Sequence, residues 1–180
     1  KESWDVIRLE EGDEVVGAVE LASPNLAFIT SDAQLLHFSA DLVRPKGRLG
    51  GGVAGVKLSA DAKVLFFGGV DPATDLVVTI AGSPDSLFGN TTGGAKVTPL
   101  AEYPTKGRAT GGVRCQRFLK GETALIAATI GGFVTAATAD GAPVALPDPT
   151  PKRDGSGVPL KGVVEMLGAR CLPEVVELIP

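Results

Sequence analysis

Residues 44–58 of the chain read RPKGRLGGGVAGVKL, and residues 104–118 read PTKGRATGGVRCQRF. Both stretches carry a basic Gly-Arg step followed by a Gly-Val step at the same spacing. A third, diverged copy at residues 151–163 reads PKRDGSGVPLKGV, and a partial copy opens the chain, because residues 4–19 align with residues 53–68. Such internal repetition is typical of folds in which each unit buries its apolar surface only by packing on its neighbours.

Each copy continues with short apolar segments separated by turns, and about four short strands per repeat are typical of a propeller blade. One short helix is predicted at residues 161–168. The fold class expected is therefore all-β and propeller-like, with about three to four four-stranded blades. The predicted strands cover residues 26–30, 34–38, 64–68, 76–80, 95–100, 124–130, 133–137 and 142–146.

The whole chain, residues 1–180, is expected to form a single domain. Its units are a partial blade at residues 1–21 and further blades at 22–70, 71–130 and 131–180. The 24 glycines and 13 prolines suit many turns, and a hydrophobic content of 44% is enough for a folded core. No apolar run reaches the ~18 residues of a membrane span. Two cysteines do not suggest a disulfide framework, so a reducing, cytoplasmic setting is expected.

The formal net charge of −4 argues by itself against a nucleic-acid partner. The charge is unevenly distributed, however, because residues 1–21 hold seven acids and two bases. Subtracting these from the totals of 21 acids and 17 bases leaves 14 acids and 15 bases in the remainder, a net charge near +1. A local cluster of bases is therefore compatible with DNA binding.

The Gly-Arg and Gly-Val core, with the apolar–acidic–apolar strand pair that follows it, resembles blades of a known family. So does the stretch at residues 91–113, TTGGAKVTPLAEYPTKGRATGGV. The family is the C-terminal β-pinwheel of the A subunit of bacterial type IIA topoisomerases, DNA gyrase and topoisomerase IV, and the resemblance covers essentially the whole chain. It implies a disc whose basic perimeter binds and bends duplex DNA without chemistry of its own.

The resemblance also implies a parent ATP-dependent topoisomerase, in which the A and B subunits work together while ATP and magnesium act on other domains. Localisation would be cytoplasmic, at the bacterial nucleoid. The hallmark gyrase sequence Gln-Arg-Gly-Gly-Lys-Gly is absent from every copy. Whether the parent is a gyrase or a topoisomerase IV, and the handedness of wrapping, therefore stay open.

Basic side chains recur at the same place in successive copies, and Arg and Lys are suited to binding phosphate. At equivalent points of successive blades they would form a curved cationic track that bends DNA without reading bases. The alternative is that they are solvated charges beside turn glycines. The predicted contacts are Arg44, Lys46, Arg48 and Lys57 in the first copy; Lys106, Arg108, Arg114, Arg117 and Lys120 in the second; and Lys152, Arg153 and Lys161 in the third.

Other candidate sites are weaker. His37 lies alone between apolar residues, which favours a structural role over a metal site. No histidine pattern points to activation of Cys115 or Cys171 as a nucleophile. Tyr103 is interpreted as a packing residue or a DNA contact, and Trp4 as core because it aligns with a valine expected to be buried. Glycine-rich stretches lack the Lys-Ser or Lys-Thr of a phosphate loop.

The leading hypothesis is a non-catalytic DNA-binding and DNA-bending domain, with no cofactor or metal of its own and no contact with a membrane. The rival is a propeller for protein–protein interaction that uses the acidic segment 10–14 as part of its surface. A small-molecule enzyme is the least supported alternative, because no acids or histidines cluster at a repeated position. Salt-dependent binding to duplex DNA would separate the first two.

Overall fold

The structure, a computed structural model, describes residues 7, 9–47, 51–84 and 91–170. Within these ranges the chain forms eleven β-strands and two short 3₁₀ turns, at Ala40–Leu42 and Leu100–Glu102. The strands are β1 Asn25–Thr30, β2 Gln34–Ser39, β3 Val64–Val70, β4 Leu76–Ser83, β5 Thr91–Pro99, β6 Val113–Arg114, β7 Ala124–Gly131, β8 Phe133–Ala137, β9 Pro143–Val144, β10 Val158–Pro159 and β11 Met166–Arg170. Predictions that lie outside the described residues concern Trp4, Arg48 and Cys171.

The strands form three antiparallel sheets. The first sheet has the order β3-β1-β2-β6, the second β10-β5-β4-β7 and the third β11-β8-β9. Two sheets thus have four strands, and the third has three within the described residues. The expected all-β, blade-like fold class is confirmed.

Each four-stranded sheet takes its edge strand from a later copy of the repeat. Val113, in the second Gly-Arg copy, pairs with Leu35 of β2, and Val158, in the third copy, pairs with Ala95 of β5. The sheets therefore do not coincide with consecutive stretches of sequence. The strand from the later copy forms hydrogen bonds with backbone groups that would otherwise be unpaired at the sheet edge. We call β6 and β10 the exchanged strands.

Two hairpins of the first and third sheets share one turn chemistry. The hydroxyl of Thr30 donates to the carboxylate of Asp32, and that of Thr138 donates to Asp140. Side-chain bonds of this kind stabilise a tight turn locally. Equivalent turns set a common register, so that Ala27 in β1 corresponds to Thr135 in β8.

The core lies between the sheets. One cluster joins Ile29 of the first sheet to Val77 of the second, and another joins Ile80 of the second sheet to Ala136 of the third. The second sheet is therefore packed on both faces, between the other two. A third cluster, on the outer face of the first sheet, contains Phe28, whose ring lies 4.9 Å from that of Phe67 between centroids.

Two expectations are corrected. The helix predicted at residues 161–168 is wrong: residues 161–165 are irregular, and Met166–Arg170 pairs with β8, because completing a sheet satisfies backbone groups that an isolated short helix would not. Two of the three valines of the Gly-Val steps are not core residues either, whereas Val113 is half-buried and packs against the core. Val53 and Val158 are 40% and 49% exposed, since they lie at or beyond sheet edges.

Candidate nucleic-acid interface

We call residues 44–58, 104–118 and 151–163 the Gly-Arg loops, although in the third loop Lys152 stands before Arg153 where the other two have glycine. Backbone hydrogen bonds join the loops in chain order. Lys57 N donates to the carbonyl of Thr110 at 3.0 Å, and Ala109 N donates to that of Gly55 at 2.7 Å, which joins the first loop to the second. Arg117 N donates to the carbonyl of Gly155 at 3.0 Å, which joins the second loop to the third. The described parts of the three loops are thus joined in series.

Cations of the first two loops converge on one groove of about 450 Å³. Arg44 and Lys46 enter it from the first loop and Arg108 from the second, with Asp41 as the only acid among the lining residues. The guanidinium of Arg108 also donates from Nη1 to the carbonyl of Ala54 at 2.5 Å, so part of its role is to fasten the two loops together. Three cations against one carboxylate leave the groove suited to an anion such as phosphate.

The predicted cations that the structure describes are accessible. Arg108 and Arg153 are half-buried, whereas the others are exposed: Arg44, Lys46, Lys57, Lys106, Arg114, Arg117, Lys120, Lys152 and Lys161.

The structure does not bring all of these cations to one place. Lys120 lies in the turn after the second loop, beside Glu122 and the hairpin of the second sheet around Gly93. Arg114 lies on the exchanged strand β6, opposite Gln34. The groove of Arg44, Lys46 and Arg108 and these two residues are therefore separate parts of the predicted track.

The second loop is anchored at its start by His37, which is buried. The carbonyl of His37 accepts from Lys106 N at 3.0 Å, and its ring Nε2 lies 2.9 Å from the carbonyl of Tyr103. These two contacts give His37 the structural role that was expected from the sequence. Tyr103 is 3% exposed, so of the two roles considered for it packing is the one that its position allows.

A buried lysine behind the loops was missed by the sequence analysis. Lys96 on β5 is 2% exposed, and its Nζ lies 2.5 Å from Thr98 Oγ1 and 3.3 Å from Tyr103 Oη. Burial lowers the pKa of Lys96 to about 8, while the charges of Cys115 and Asp154 act weakly in the opposite direction. A lysine that alternates with alanine and valine on a strand reads as a solvent-facing residue, and no local signal revealed its burial.

Burial also shifts the pKa values of the groups next to Lys96. Loss of hydration raises the pKa of the Cys115 thiol to about 12 and also raises the pKa of Tyr103. Tyr103 Oη lies 3.4 Å from the carbonyl of Cys115 and 3.5 Å from that of Arg153, so the hydroxyl joins the second and third loops to β5. Cys115, like these neighbours, is a core group behind the cationic surface.

The described residues contain neither a metal-binding cluster nor a membrane-spanning helix. In residues 7, 9–47, 51–84 and 91–170, no group of three or more histidine, cysteine and acidic side chains is arranged to hold a metal ion. Within the same described ranges, none of the helical turns has the length and apolar character needed to cross a membrane.

Comparison with known families gives one match. The family described as the DNA gyrase C-terminal domain, a β-propeller, matches residues 6–20, 24–68 and 87–128. These segments amount to 15, 45 and 42 residues, or 102 of 180, which is more than half of the chain. The family resemblance seen in the Gly-Arg copies is thereby confirmed.

Individual relatives agree with that match. The A subunit of DNA gyrase from Mycolicibacterium smegmatis is 34% identical over 127 residues, which is 69% of this chain and 14% of the relative. The topoisomerase protein TopoM of the same species is 38% identical over 106 residues, 59% of this chain and 14% of the relative. The chain therefore spans only a small part of the length of the curated proteins that it matches.

Solved structures give the same fold. The DNA gyrase A C-terminal domain superposes with a TM-score of 0.67 at 14% identity, covering 91% of this chain and 56% of that domain. The C-terminal domain of DNA topoisomerase IV superposes with a TM-score of 0.63 at 19% identity, covering 85% of this chain and 47% of that domain. This chain thus spans about half of each solved domain.

Proposed function

The chain belongs to the DNA gyrase C-terminal domain family, and we propose that it binds duplex DNA through its three Gly-Arg loops without catalysing a reaction. The single observation that carries the proposal is the serial joining of those loops by backbone hydrogen bonds. Because each loop is fixed to the next, their cations act as one surface rather than as scattered charges.

The residue types fit a phosphate backbone better than base edges. Arginine donates paired hydrogen bonds to phosphate oxygens, and lysine contributes a point charge. The groove of Arg44, Lys46 and Arg108, with a volume of about 450 Å³, has room for such an oxyanion. Contacts of this kind fix the position of DNA and carry no sequence preference.

Bending of the bound DNA is the finer part of the proposal. A duplex that follows successive loops around a row of sheets gains additional phosphate contacts, which offset the cost of deforming it. In the parent protein such a bend would present a duplex segment for strand passage by a type II topoisomerase made of A and B subunits. ATP and magnesium would act on domains other than this one.

The first experiment is fluorescence anisotropy of a labelled duplex over a series of salt concentrations. The logarithm of the affinity should fall with the logarithm of the salt concentration by about 0.9 for each phosphate contact. Removing one contact with Lys46→Ala should therefore make the slope shallower by about 0.9, and Arg44→Ala/Lys46→Ala by about twice that. The double variant Arg48→Ala/Arg108→Ala extends the test to the Gly-Arg step itself.

Lys63→Ala is the matched control, because Lys63 is an exposed lysine outside the three loops. It should leave the slope unchanged. Absence of binding at low salt, or equal effects of Lys46→Ala and Lys63→Ala, would reject the loops as the DNA surface. Bending is tested next, by the rate at which the domain promotes circularisation of a short duplex. If the domain binds the duplex but does not change the rate of circularisation, it attaches to DNA without bending it.

A second candidate function is protein–protein interaction through the acidic segment. It is favoured by one observation: Glu10, Glu11, Asp13 and Glu14 are all exposed. A basic partner protein that binds this segment would lose affinity when all four acids are replaced by their amides. DNA affinity would rise in the same variant if the acids repel the duplex.

A further inference from the structure

The first two sheets are built from equivalent strands. Leu35 on β2 and Ala95 on β5 each pair with the valine that begins an exchanged strand, and the two 3₁₀ turns begin 60 residues apart, at positions 40 and 100. Residues 35–58 therefore correspond to residues 95–118, as they do in the sequence repeat. The adjoining strands β1 and β4 correspond as well, because they pair with β2 and β5 in the same register.

The chemistry of corresponding side chains is reversed between these two sheets. On the outer face of the first sheet they form an apolar cluster, whereas in the second sheet they are polar or charged. The apolar set is Phe28, Leu36, Phe38, Val43 and Val56. Its counterpart, which we call the polar core, is Thr79, Lys96, Thr98, Tyr103 and Gln116, each of which is 3% exposed or less.

The polar core also holds smaller side chains. Two of the three phenylalanines of the apolar cluster are replaced by threonine, and the third, Phe67, is replaced by Ala128. Tyr103 is the only aromatic residue gained. Because three rings are removed and one is added, the exchange leaves volume for a small molecule beside the buried amine of Lys96.

Hydrogen bonding within the polar core is incomplete. Lys96 Nζ has three N–H groups, and the described residues supply two acceptors, Thr98 Oγ1 at 2.5 Å and Tyr103 Oη at 3.3 Å. The amide of Gln116 donates from Nε2 to a backbone carbonyl at 2.8 Å, whereas its Oε1 has no hydrogen-bond partner among those residues. Thr79 Oγ1 is likewise unpartnered there. Buried atoms of this kind lower stability unless another group satisfies them.

The unsatisfied atoms flank one amine. Thr79 lies directly opposite Lys96 on the neighbouring strand, where two side chains are close enough to interact. Gln116 binds the carbonyl of Gly94, which is two residues before Lys96 on β5, so both positions belong to the same face of the strand. A single small ligand can therefore reach all three side chains.

We propose that the polar core binds an internal water molecule. The water accepts a hydrogen bond from Lys96 Nζ, donates one to Gln116 Oε1 and forms a third with Thr79 Oγ1, so that every remaining group is satisfied. Buried waters typically make about three such bonds. The water thereby connects β4 and β5 to the second Gly-Arg loop, which contains Gln116, and it does so without DNA.

Other small ligands fit this set of groups less well. An anion would suit the amine, but it would face the lone pairs of Gln116 Oε1, and the bond from Nε2 to Gly94 fixes the orientation of that amide. A metal cation would be repelled by the ammonium group of Lys96. Water both donates and accepts, which is what one donor and one acceptor beside a hydroxyl require.

A crystal structure of the whole chain without DNA tests the site directly. Electron density for one water should lie about 2.7–3.2 Å from Lys96 Nζ and from Gln116 Oε1. Crystals soaked in bromide separate water from an anion, because bromide scatters anomalously, and a bromide peak at this position would overturn the proposal. A direct hydrogen bond from Lys96 to Gln116, with no density between them, would overturn it as well.

The sign of one substitution tests the same site in solution. Thr79→Val nearly keeps the shape of the side chain and removes the hydroxyl. If Oγ1 bonds to the water, the equilibrium constant for unfolding in urea should rise by about fivefold or more, because that hydrogen bond is lost. If Oγ1 has no partner, the variant should be at least as stable as the wild type, since a costly buried hydroxyl is gone.

That second outcome would reject the water site. Thr98→Val is the matched control, because its hydroxyl accepts directly from Lys96 and its loss should destabilise the domain with or without a water. The crystal structure of the wild type depends on no variant, so it decides the question if Thr79→Val does not fold.

Discussion

His37 Nε2 lies 2.9 Å from the carbonyl oxygen of Tyr103, across the gap between the first sheet and the second Gly-Arg loop. A carbonyl only accepts, so Nε2 carries the proton and donates. The other ring nitrogen, Nδ1, therefore accepts from the amide of Asn25 at 3.3 Å. One tautomer thus satisfies both contacts, and it ties β1, β2 and the start of the loop together.

Replacing His37 with phenylalanine keeps a planar aromatic ring and removes both hydrogen bonds. The buried carbonyl of Tyr103 then has no donor, so we expect the free energy of unfolding to fall by about 1–3 kcal/mol, measured by urea denaturation. His37→Gln, which supplies an N–H in a similar place, should lose less. Equal losses for the two variants would mean that the volume of the ring matters and the hydrogen bond does not.

Gly112→Ala should release the exchanged strand β6. Gly112 has a φ of +74°, and an added Cβ would lie 2.3 Å from the carbonyl oxygen of Leu35 on the strand that β6 pairs with. We expect a loss of about 2 kcal/mol or more in the free energy of unfolding. Gly107→Ala is the control, because nothing lies within 4 Å of its Cβ position. If Gly112→Ala is as stable as Gly107→Ala, the pairing of β6 contributes little to the free energy of unfolding.

Local patterns allowed much of the fold to be predicted from the sequence. The predicted strand at residues 124–130 is β7, Ala124–Gly131, and the one at residues 26–30 is β1, Asn25–Thr30. Apolar runs between turn residues carry their own signal. Non-local strand pairing has no such signal in the sequence. β6 and β10 are only two residues long, and their partners, β2 and β5, are set by the packing of copies that are distant in sequence.

The candidate site was predictable only in its charged part. Recurrence of Gly-Arg indicated which loops carry cations, and the structure joins those loops. It did not indicate that Arg108 also fastens Ala54, or that Lys96 is buried behind the loops, because both depend on contacts between residues far apart in sequence. The role of individual cations in DNA binding stays a prediction.

Cys115 should resist thiol reagents in the folded domain. Its side chain is fully buried, and burial raises its pKa to about 12, so both access and thiolate are lacking at neutral pH. In the background Cys171→Ser, which leaves one thiol, modification by iodoacetamide should be slower than in denaturant by about a thousandfold or more. Labelling at comparable rates in both conditions would place the thiol at the surface instead.

The last prediction concerns Lys96 and pH. The pKa of its amine is about 8 when folded and 10.5 when unfolded, so between these values the unfolded chain holds a proton that the folded chain lacks. Stability contributed by this group therefore rises with pH across that window. Tyr103 and Cys115, whose pKa values are raised by folding, act in the opposite direction at higher pH.

The effect of Lys96 is isolated by comparing the wild type with Lys96→Met in urea at several pH values. From about pH 7 to about pH 9.5, the wild type should gain about 2 kcal/mol relative to the variant, because each unit of pKa difference corresponds to about 1.4 kcal/mol. Lys63→Met, at an exposed lysine, should keep a constant difference from the wild type. A constant difference for Lys96→Met as well would mean that bulk solvent reaches Nζ, and that the loops are not backed by a buried amine.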